Sequence, residues 1–176
     1  MTQQRVGTVG YLVWHLSNRW RVAVDRALGP LGMTHAHYSL LASLYALTRD
    51  GARPSQRELA DFAGLEVMYV SKLIRPLERG KLLRRSDHPG DPRAFQVELT
   101  AQGADLAVNA ANVVRQVYDQ LLVPIGGRSG KRALALMQTL EELLEQADAF
   151  NRTNAAPAGG ASRRQPRHAK KRERTQ

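Results

Sequence analysis

Apolar residues recur with the 3.6-residue period of α-helices along most of the chain, and this pattern predicts helices at both ends. The first covers residues 9–28 and ends at Gly29-Pro30, which together with Gly32 breaks a helix. Its stripe consists of Val9, Leu12, Val13, Leu16, Trp20, Ala23 and Ala27. A second helix follows Thr34, whose hydroxyl can cap it, and ends at Asp50-Gly51.

Capping and glycine signals within residues 55–80 predict two short helices joined by a tight turn. Ser55 and Glu58 have capping-box spacing, in which each side chain bonds a free backbone N–H near the other residue. The first helix covers about 56–62, and the second covers about 67–79 and ends at a glycine. Two short helices with a glycine in the turn between them are typical of a helix-turn-helix.

After Gly80 the spacing of apolar residues changes from the 3.6-residue period of a helix to the two-residue period of a β-strand. We predict one strand over 82–86 and another over 94–99, where apolar and polar residues alternate strictly. The residues between them, 87–93, are rich in turn formers. The predicted fold class is therefore mainly α with a small β-wing, that is, a winged helix-turn-helix flanked by N- and C-terminal dimerisation helices.

Two further amphipathic helices follow the wing, one from the Thr100 cap to about residue 123 and one over about 130–150. The small central module cannot cover the apolar stripes of all the terminal helices, so we expect two chains to bury them in a homodimer. The predicted division is an N-terminal dimerisation helix (1–34), a winged helix-turn-helix DNA-binding module (35–99), C-terminal dimerisation helices (100–150) and a disordered basic tail (151–176).

Positive charge is concentrated at the C-terminal end. The 176 residues carry 26 Lys and Arg against 16 Asp and Glu, and residues 151–176 alone carry eight against one. Such a tail favours a polyanionic partner, either nucleic acid or an anionic membrane surface. The chain has no cysteine, which excludes disulfides and thiol-based redox sensing. We see no membrane span and no secretory signal, and we expect a cytoplasmic, nucleoid-associated protein.

The helix over 67–79 has one apolar and one basic face. The apolar face consists of Val70, Leu73, Ile74 and Leu77. The DNA contacts that we predict for this recognition helix come from Met68, Tyr69, Ser71, Lys72 and Arg75. An ordinary solvated face is the alternative for these charges. Pro76 removes one backbone hydrogen bond, and it predicts a kink or local distortion beyond the base-reading residues 67–72.

Three arginines bracket the predicted wing. The DNA-binding residues that we predict for the wing are Arg84, Arg85, Asp91 and Arg93. Arg84 and Arg85 precede its turn, and Arg93 follows the turn, where its side chain can reach a minor groove or phosphates. Asp91 can pair with an arginine and hold the shape of the wing. A solvated strand edge is the alternative for Arg84 and Arg85.

The stretch from Val70 to Gly80 resembles the recognition helix of the MarR family, and Asp91-Pro92-Arg93 with Leu99-Thr100 resembles that family's wing signature. The resemblance covers roughly residues 8–150. It implies a two-fold dimer on a pseudo-palindromic double-stranded operator. It also implies a small effector, often aromatic and anionic, that binds between the dimerisation helices and the winged helix.

Aromatic and basic side chains lie where the resemblance implies an effector pocket. The candidates for this pocket are Trp14, His15, Arg19, His37 and Tyr38. Ordinary packing and surface roles are the alternative for all of them. The rings of His35 and His37 diverge on a helix and no third ligand is evident, so we predict no metal site, and we expect no cofactor.

The sequence contains no phosphate-binding glycine loop, nucleophile elbow or paired histidines with a glutamate, so we do not expect an enzyme. The leading interpretation is a sequence-specific transcriptional regulator, a repressor that a small ligand releases from DNA. A second is a nucleoid-associated architectural protein that uses the basic tail. A third is a protein-interaction module, which the basic residues Lys72, Arg75 and Arg79 argue against.

Overall fold

The computed structural model describes residues 7–154, apart from the side chains of Pro92 and Arg93. It is mainly helical with one two-stranded antiparallel sheet, which confirms the predicted fold class. The elements in chain order are α1 (Val9–Leu28), α2 (His35–Thr48), α3 (Gln56–Ala63), α4 (Val67–Arg79), β1 (Leu83–His88), β2 (Asp91–Leu99), α5 (Ala101–Leu121) and α6 (Lys131–Asn154).

Side-chain caps begin the helices where the sequence predicts them. The Thr34 hydroxyl accepts a hydrogen bond from the His37 N–H at the start of α2, and Thr100 does the same for Gly103 at the start of α5. Both halves of the capping box at α3 are present, and Gly64 ends α3 in the left-handed conformation. The order of elements therefore follows from local signals in the sequence.

One core joins the winged helix to α1 and α5. Leu40, Leu41 and Leu44 of α2 are fully buried between α3, α4 and α5. From the other side, α1 contributes Val24 and Leu28, which are also fully buried. Burial of these aliphatic side chains fixes α2 as the central helix on which the DNA-binding elements rest.

The wing is a longer hairpin than the sequence predicts. β1 extends to His88 and β2 begins at Asp91, so that these two residues pair and only Pro89-Gly90 remain for the turn. The prediction of a turn over 87–93 was too wide, because backbone pairing continues through polar residues that resemble turn formers. The ladder shifts register between Asp87 and His88.

The segment before α3 lies along the second edge of β2. The Val97 N–H donates to the Pro54 carbonyl at 2.9 Å, and Ser55 pairs with Gln96 as an isolated bridge. The Gln96 amide also donates to the Arg53 carbonyl at 3.1 Å. The wing is thus attached to the lead-in of the helix-turn-helix as well as to α5.

Helix α6 continues to Asn154, four residues beyond the predicted end. Thr153 and Asn154 bond back to the carbonyls of Ala149 and Phe150, which allows these polar residues to remain helical. The predicted disordered tail therefore begins too early at residue 151, and its remainder, 155–176, lies outside the described residues. Within 7–154, no helix is long and apolar enough to cross a membrane.

Candidate nucleic-acid interface

Helix α4 packs its apolar face against the core and presents its opposite face outward. The predicted inner residues Val70, Leu73, Ile74 and Leu77 are all buried. On the outer side, the exposed fraction is 74% for Met68 and 44% for Tyr69. Lys72 and Arg75 are exposed as well, and Ser71 is half-buried. The structure thus brings the five predicted residues to one outward surface, which we call the α4 face.

Pro76 lies inside α4 without ending it, and residues 67–79 form one α-helix. Proline lacks the N–H that would bond the carbonyl of residue 72, one turn earlier. Lys72 itself is exposed on the outer side of α4. The distortion expected from Pro76 therefore does not interrupt the helix.

Arg84 lies on the outer face of the wing and binds Glu98 across the hairpin. Its Nη2 is 2.6 Å from Glu98 Oε2, and Arg53 Nε approaches Glu98 Oε1 at 3.2 Å. The hydrogen bond from Arg84 is the main cause that lowers the pKa of Glu98. The Arg84 side chain nevertheless stays 70% exposed, so part of its guanidinium faces solvent.

Arg85 lies on the opposite face of the hairpin and contacts α4. Its Nε donates to both carboxylate oxygens of Glu78, at 3.1 and 3.0 Å, and its Nη2 donates to Oε2 at 2.6 Å. Its Cζ is 5.5 Å from the centroid of the Phe95 ring. The alternative of a solvated strand edge is therefore wrong for Arg85.

The remaining wing residues are only partly described. Asp91 is exposed and opens β2 opposite His88. The backbone of Arg93 belongs to β2, but its side chain lies outside the described residues. Glu78 and Glu98 were not predicted as arginine partners, although a strand register that placed Glu98 opposite Arg84 would have indicated the second pair.

A recess of about 600 Å³ separates the wing from the helix-turn-helix. Its walls are Ser55, Gln56, Arg57, Glu58, Val67, His88, Asp91, Ala94 and Phe95. Hydrogen bonds from Ser55 lower the pKa of Glu58 at this surface, and His88 adds to the effect. The recess reaches the start of α4 at Val67, and its walls combine charged and polar side chains with Ala94 and Phe95.

The five candidate effector residues fall into two groups. His15 and Arg19 line a recess of about 300 Å³ on α1, and Trp14 packs edge-on against His15 with ring centroids 4.6 Å apart. His37 and Tyr38 lie on α2, and they do not line that recess. Burial lowers the pKa of His37 and raises the pKa of Tyr38.

Comparison with known proteins identifies relatives of the central module. The model of the MarR family matches residues 33–95. A curated relative, the uncharacterized HTH-type transcriptional regulator YdcH of Bacillus subtilis (strain 168), is 31% identical over 108 residues, which are 61% of this chain and 74% of the relative.

Solved structures match over a larger part of the chain. MepR of S. aureus in complex with DNA is 25% identical with a TM-score of 0.70, and the match covers 80% of this chain and 98% of MepR. BpsR of Bordetella bronchiseptica, whose DNA binding is regulated by 6-hydroxynicotinic acid, is 22% identical with a TM-score of 0.67, and the match covers 81% of this chain and 97% of BpsR. The latter shares the fold.

Proposed function

Because this chain belongs to the MarR family, a family of transcriptional regulators, we propose that it is a dimeric regulator that binds specific DNA sequences. The observation that carries the proposal is the α4 face, where polar and basic side chains stand on a helix whose other side is buried. A helix of this kind fits the major groove. We infer a cytoplasmic regulator and not an enzyme.

The α4 face reads bases in this proposal. Lys72 and Arg75 donate to guanine or phosphates, while Tyr69 and Ser71 bond bases or the backbone and Met68 supplies apolar contact. On the wing, Arg93 is the candidate for the minor groove, and the exposed part of Arg84 reaches phosphates. The complex of MepR with DNA supports the assignment of DNA as the partner.

The apolar surfaces of α1 and α6 support a homodimer. Val9, Leu12 and Trp14 on α1 are 56–66% exposed within one chain, and Leu144 of α6 is 64% exposed. Surfaces of this kind are covered in stable proteins, most often by a second copy related by a two-fold axis. The dimer presents two α4 faces to successive major grooves of a pseudo-palindromic operator.

We propose that a small aromatic anion releases the protein from DNA, which makes it a repressor. The support is the recess at His15 and Arg19, where a cation lies beside aromatic rings, and the regulation of BpsR by 6-hydroxynicotinic acid. His37 and Tyr38 form the second candidate group on α2. Titration of 6-hydroxynicotinate into wild type and Arg19→Ala tests the assignment, since equal affinities would remove Arg19 from it.

The second candidate function is a nucleoid-associated architectural role. It is favoured by the eight Lys and Arg residues within 151–176, because phosphate contacts attract any DNA sequence. In that case, binding depends on the basic tail and shows little sequence preference.

Selection from random duplex DNA separates the two functions. We would use the full chain and a chain that ends at Asn154, where α6 ends. A regulator enriches a two-fold symmetric motif, with half-sites about 10 base pairs apart, with either chain. Absence of enrichment with both chains, together with binding that requires residues 155–176, would overturn the regulator and support the architectural role.

A further inference from the structure

Arg85 is positively charged, as a DNA-contacting residue would be, but its side chain contacts Glu78 on α4 and Phe95 on β2. It shares the inward face of the hairpin with Leu83 and Val97, which are both buried, and pairs with Val97 in the strand register. Its guanidinium lies between the carboxylate of Glu78 and the ring of Phe95. Both Arg85 and Glu78 keep only about a third of their side-chain surface exposed.

The ion pair joins the two elements that meet DNA in the proposed complex. Glu78 lies on α4, three residues beyond Arg75 of the α4 face, while Arg85 and Phe95 lie on the two strands of the wing. The fork of an arginine that donates from two nitrogens to one carboxylate restricts both distance and orientation. The pair therefore restricts how the wing is set relative to the α4 face.

The same contacts argue against a phosphate partner for Arg85. Two of its nitrogens already donate to Glu78, and the carboxylate compensates the charge of the guanidinium. A phosphate would have to compete with a carboxylate that is already in place. Arg84 also donates from two nitrogens to a carboxylate, that of Glu98, but Glu98 is shared with Arg53 and the Arg84 side chain is 70% exposed on the outer face.

We propose that Glu78 and Arg85 form a positioning clamp, which fixes the wing against the recognition helix and makes Arg85 a residue that sets DNA affinity without touching DNA. The inference rests on the proposed DNA binding. It adds Glu78, an acidic residue, to the residues on which DNA affinity depends.

Glu78→Gln gives opposite results for a clamp and for a phosphate contact. Loss of the clamp lowers affinity for the selected duplex about three- to tenfold, because the wing samples other orientations. If Arg85 instead contacts phosphate, Glu78→Gln releases it, affinity rises, and the slope of log affinity against log salt steepens by about one. Asp119→Asn is the matched control, since it removes a carboxylate from an ion pair with Arg128 away from the wing.

The charge-swapped double variant, Glu78→Arg with Arg85→Glu, provides a rescue test. If the pair is a clamp, the double variant regains most of the DNA affinity that each single substitution loses, because the ion pair is restored with its polarity reversed. If position 85 instead contacts phosphate, the double variant binds DNA more weakly still, since a carboxylate at position 85 then faces DNA. Failure of the swap to restore affinity, in a chain whose circular dichroism matches wild type, would overturn the clamp.

Hydrogen exchange of the free protein tests the clamp without DNA. Wing amides of β1 and β2 should exchange faster in Glu78→Gln and Arg85→Gln than in wild type, while amides of α2 keep their protection. Unchanged wing exchange would contradict the clamp whether or not the protein binds DNA. If wild type selects no duplex but wing exchange rises in the variants, the proposed function fails and the clamp stands as a structural feature.

Discussion

Gly103 is the residue at which α5 passes closest to the start of the wing. A Cβ atom at this position would lie 1.8 Å from the Leu82 carbonyl oxygen and 2.7 Å from its carbon. The same oxygen accepts hydrogen bonds from the N–H and the hydroxyl of Thr100. The absence of a side chain at Gly103 therefore permits the hydrogen bonds that join α5 to the wing.

Substitution of Gly103 by alanine should destabilise the protein by about 1–3 kcal/mol, because the neighbour that must move is backbone and not a flexible side chain. Urea unfolding measures the loss. The control is Gly10→Ala, since nothing lies within 4 Å of a Cβ there and alanine favours a helix. Equal stability of Gly103→Ala and wild type would show that α5 does not pack as described.

The ion pairs show how far single residues could be predicted. The basic character of positions 84 and 85 was evident from the sequence, but their partners were not. Glu78 is on a different element from Arg85, and Glu98 is opposite Arg84 only in the observed register. Contacts between elements depend on how the strands and helices pack, and hydrophobic periodicity does not specify this for charged residues.

Helix α3 is the shortest α-helix in the described part of the chain, and its N-terminus depends on the capping box. The Ser55 hydroxyl accepts from the Glu58 N–H at 3.2 Å, and the Glu58 carboxylate accepts from the Ser55 N–H at 2.7 Å. A helix of eight residues has marginal stability by itself, so its cap matters more than it would in a long helix.

The substitution Ser55→Ala should therefore cost about 1 kcal/mol of folding stability, and Ser55→Thr should cost much less because it keeps the capping hydroxyl. Thermal unfolding of the two variants beside wild type measures the difference. Equal losses for alanine and threonine would mean that the hydroxyl does not contribute through the cap.

Helices and strands differed in how well their boundaries could be predicted. The limits of α1 and α4 agree with the prediction at both ends, since each has a clear apolar stripe and ends at a glycine. The wing turn and the end of α6 were predicted less well, because polar residues continue the pairing and the helix there. Composition cannot reveal backbone hydrogen bonds that polar residues make in a regular element.

The two ends of the chain leave apolar surface uncovered when one protomer is considered alone. Met137 and Leu144 of α6 are 53% and 64% exposed, and Leu140 between them is 37% exposed. The helical period of the apolar residues predicted this stripe. The sequence did not show which surface covers it, because that surface belongs to a partner. The division of the chain into dimerisation helices and a DNA-binding module therefore stays a prediction.

A charge in this stripe should break the dimer. Leu144→Glu should shift the protein toward monomers in sedimentation velocity and weaken operator binding at least tenfold, since one protomer reads only one half-site. Gln146→Glu adds the same charge on the opposite side of α6 and should leave both properties close to wild type. A dimer that persists in Leu144→Glu would place the interface elsewhere.

The attachment of residues 53–55 to β2 also helps the protein to avoid aggregation through an exposed strand edge. Exposed strand edges can recruit strands from other molecules and lead to aggregates. β2 bonds β1 on one side, and the Val97 N–H on its other side is already taken by the Pro54 carbonyl. Proline itself has no N–H to extend a ladder. The hairpin is thereby protected at Gln96 and Val97 against intermolecular sheet growth, a useful property for a module that must stay exposed.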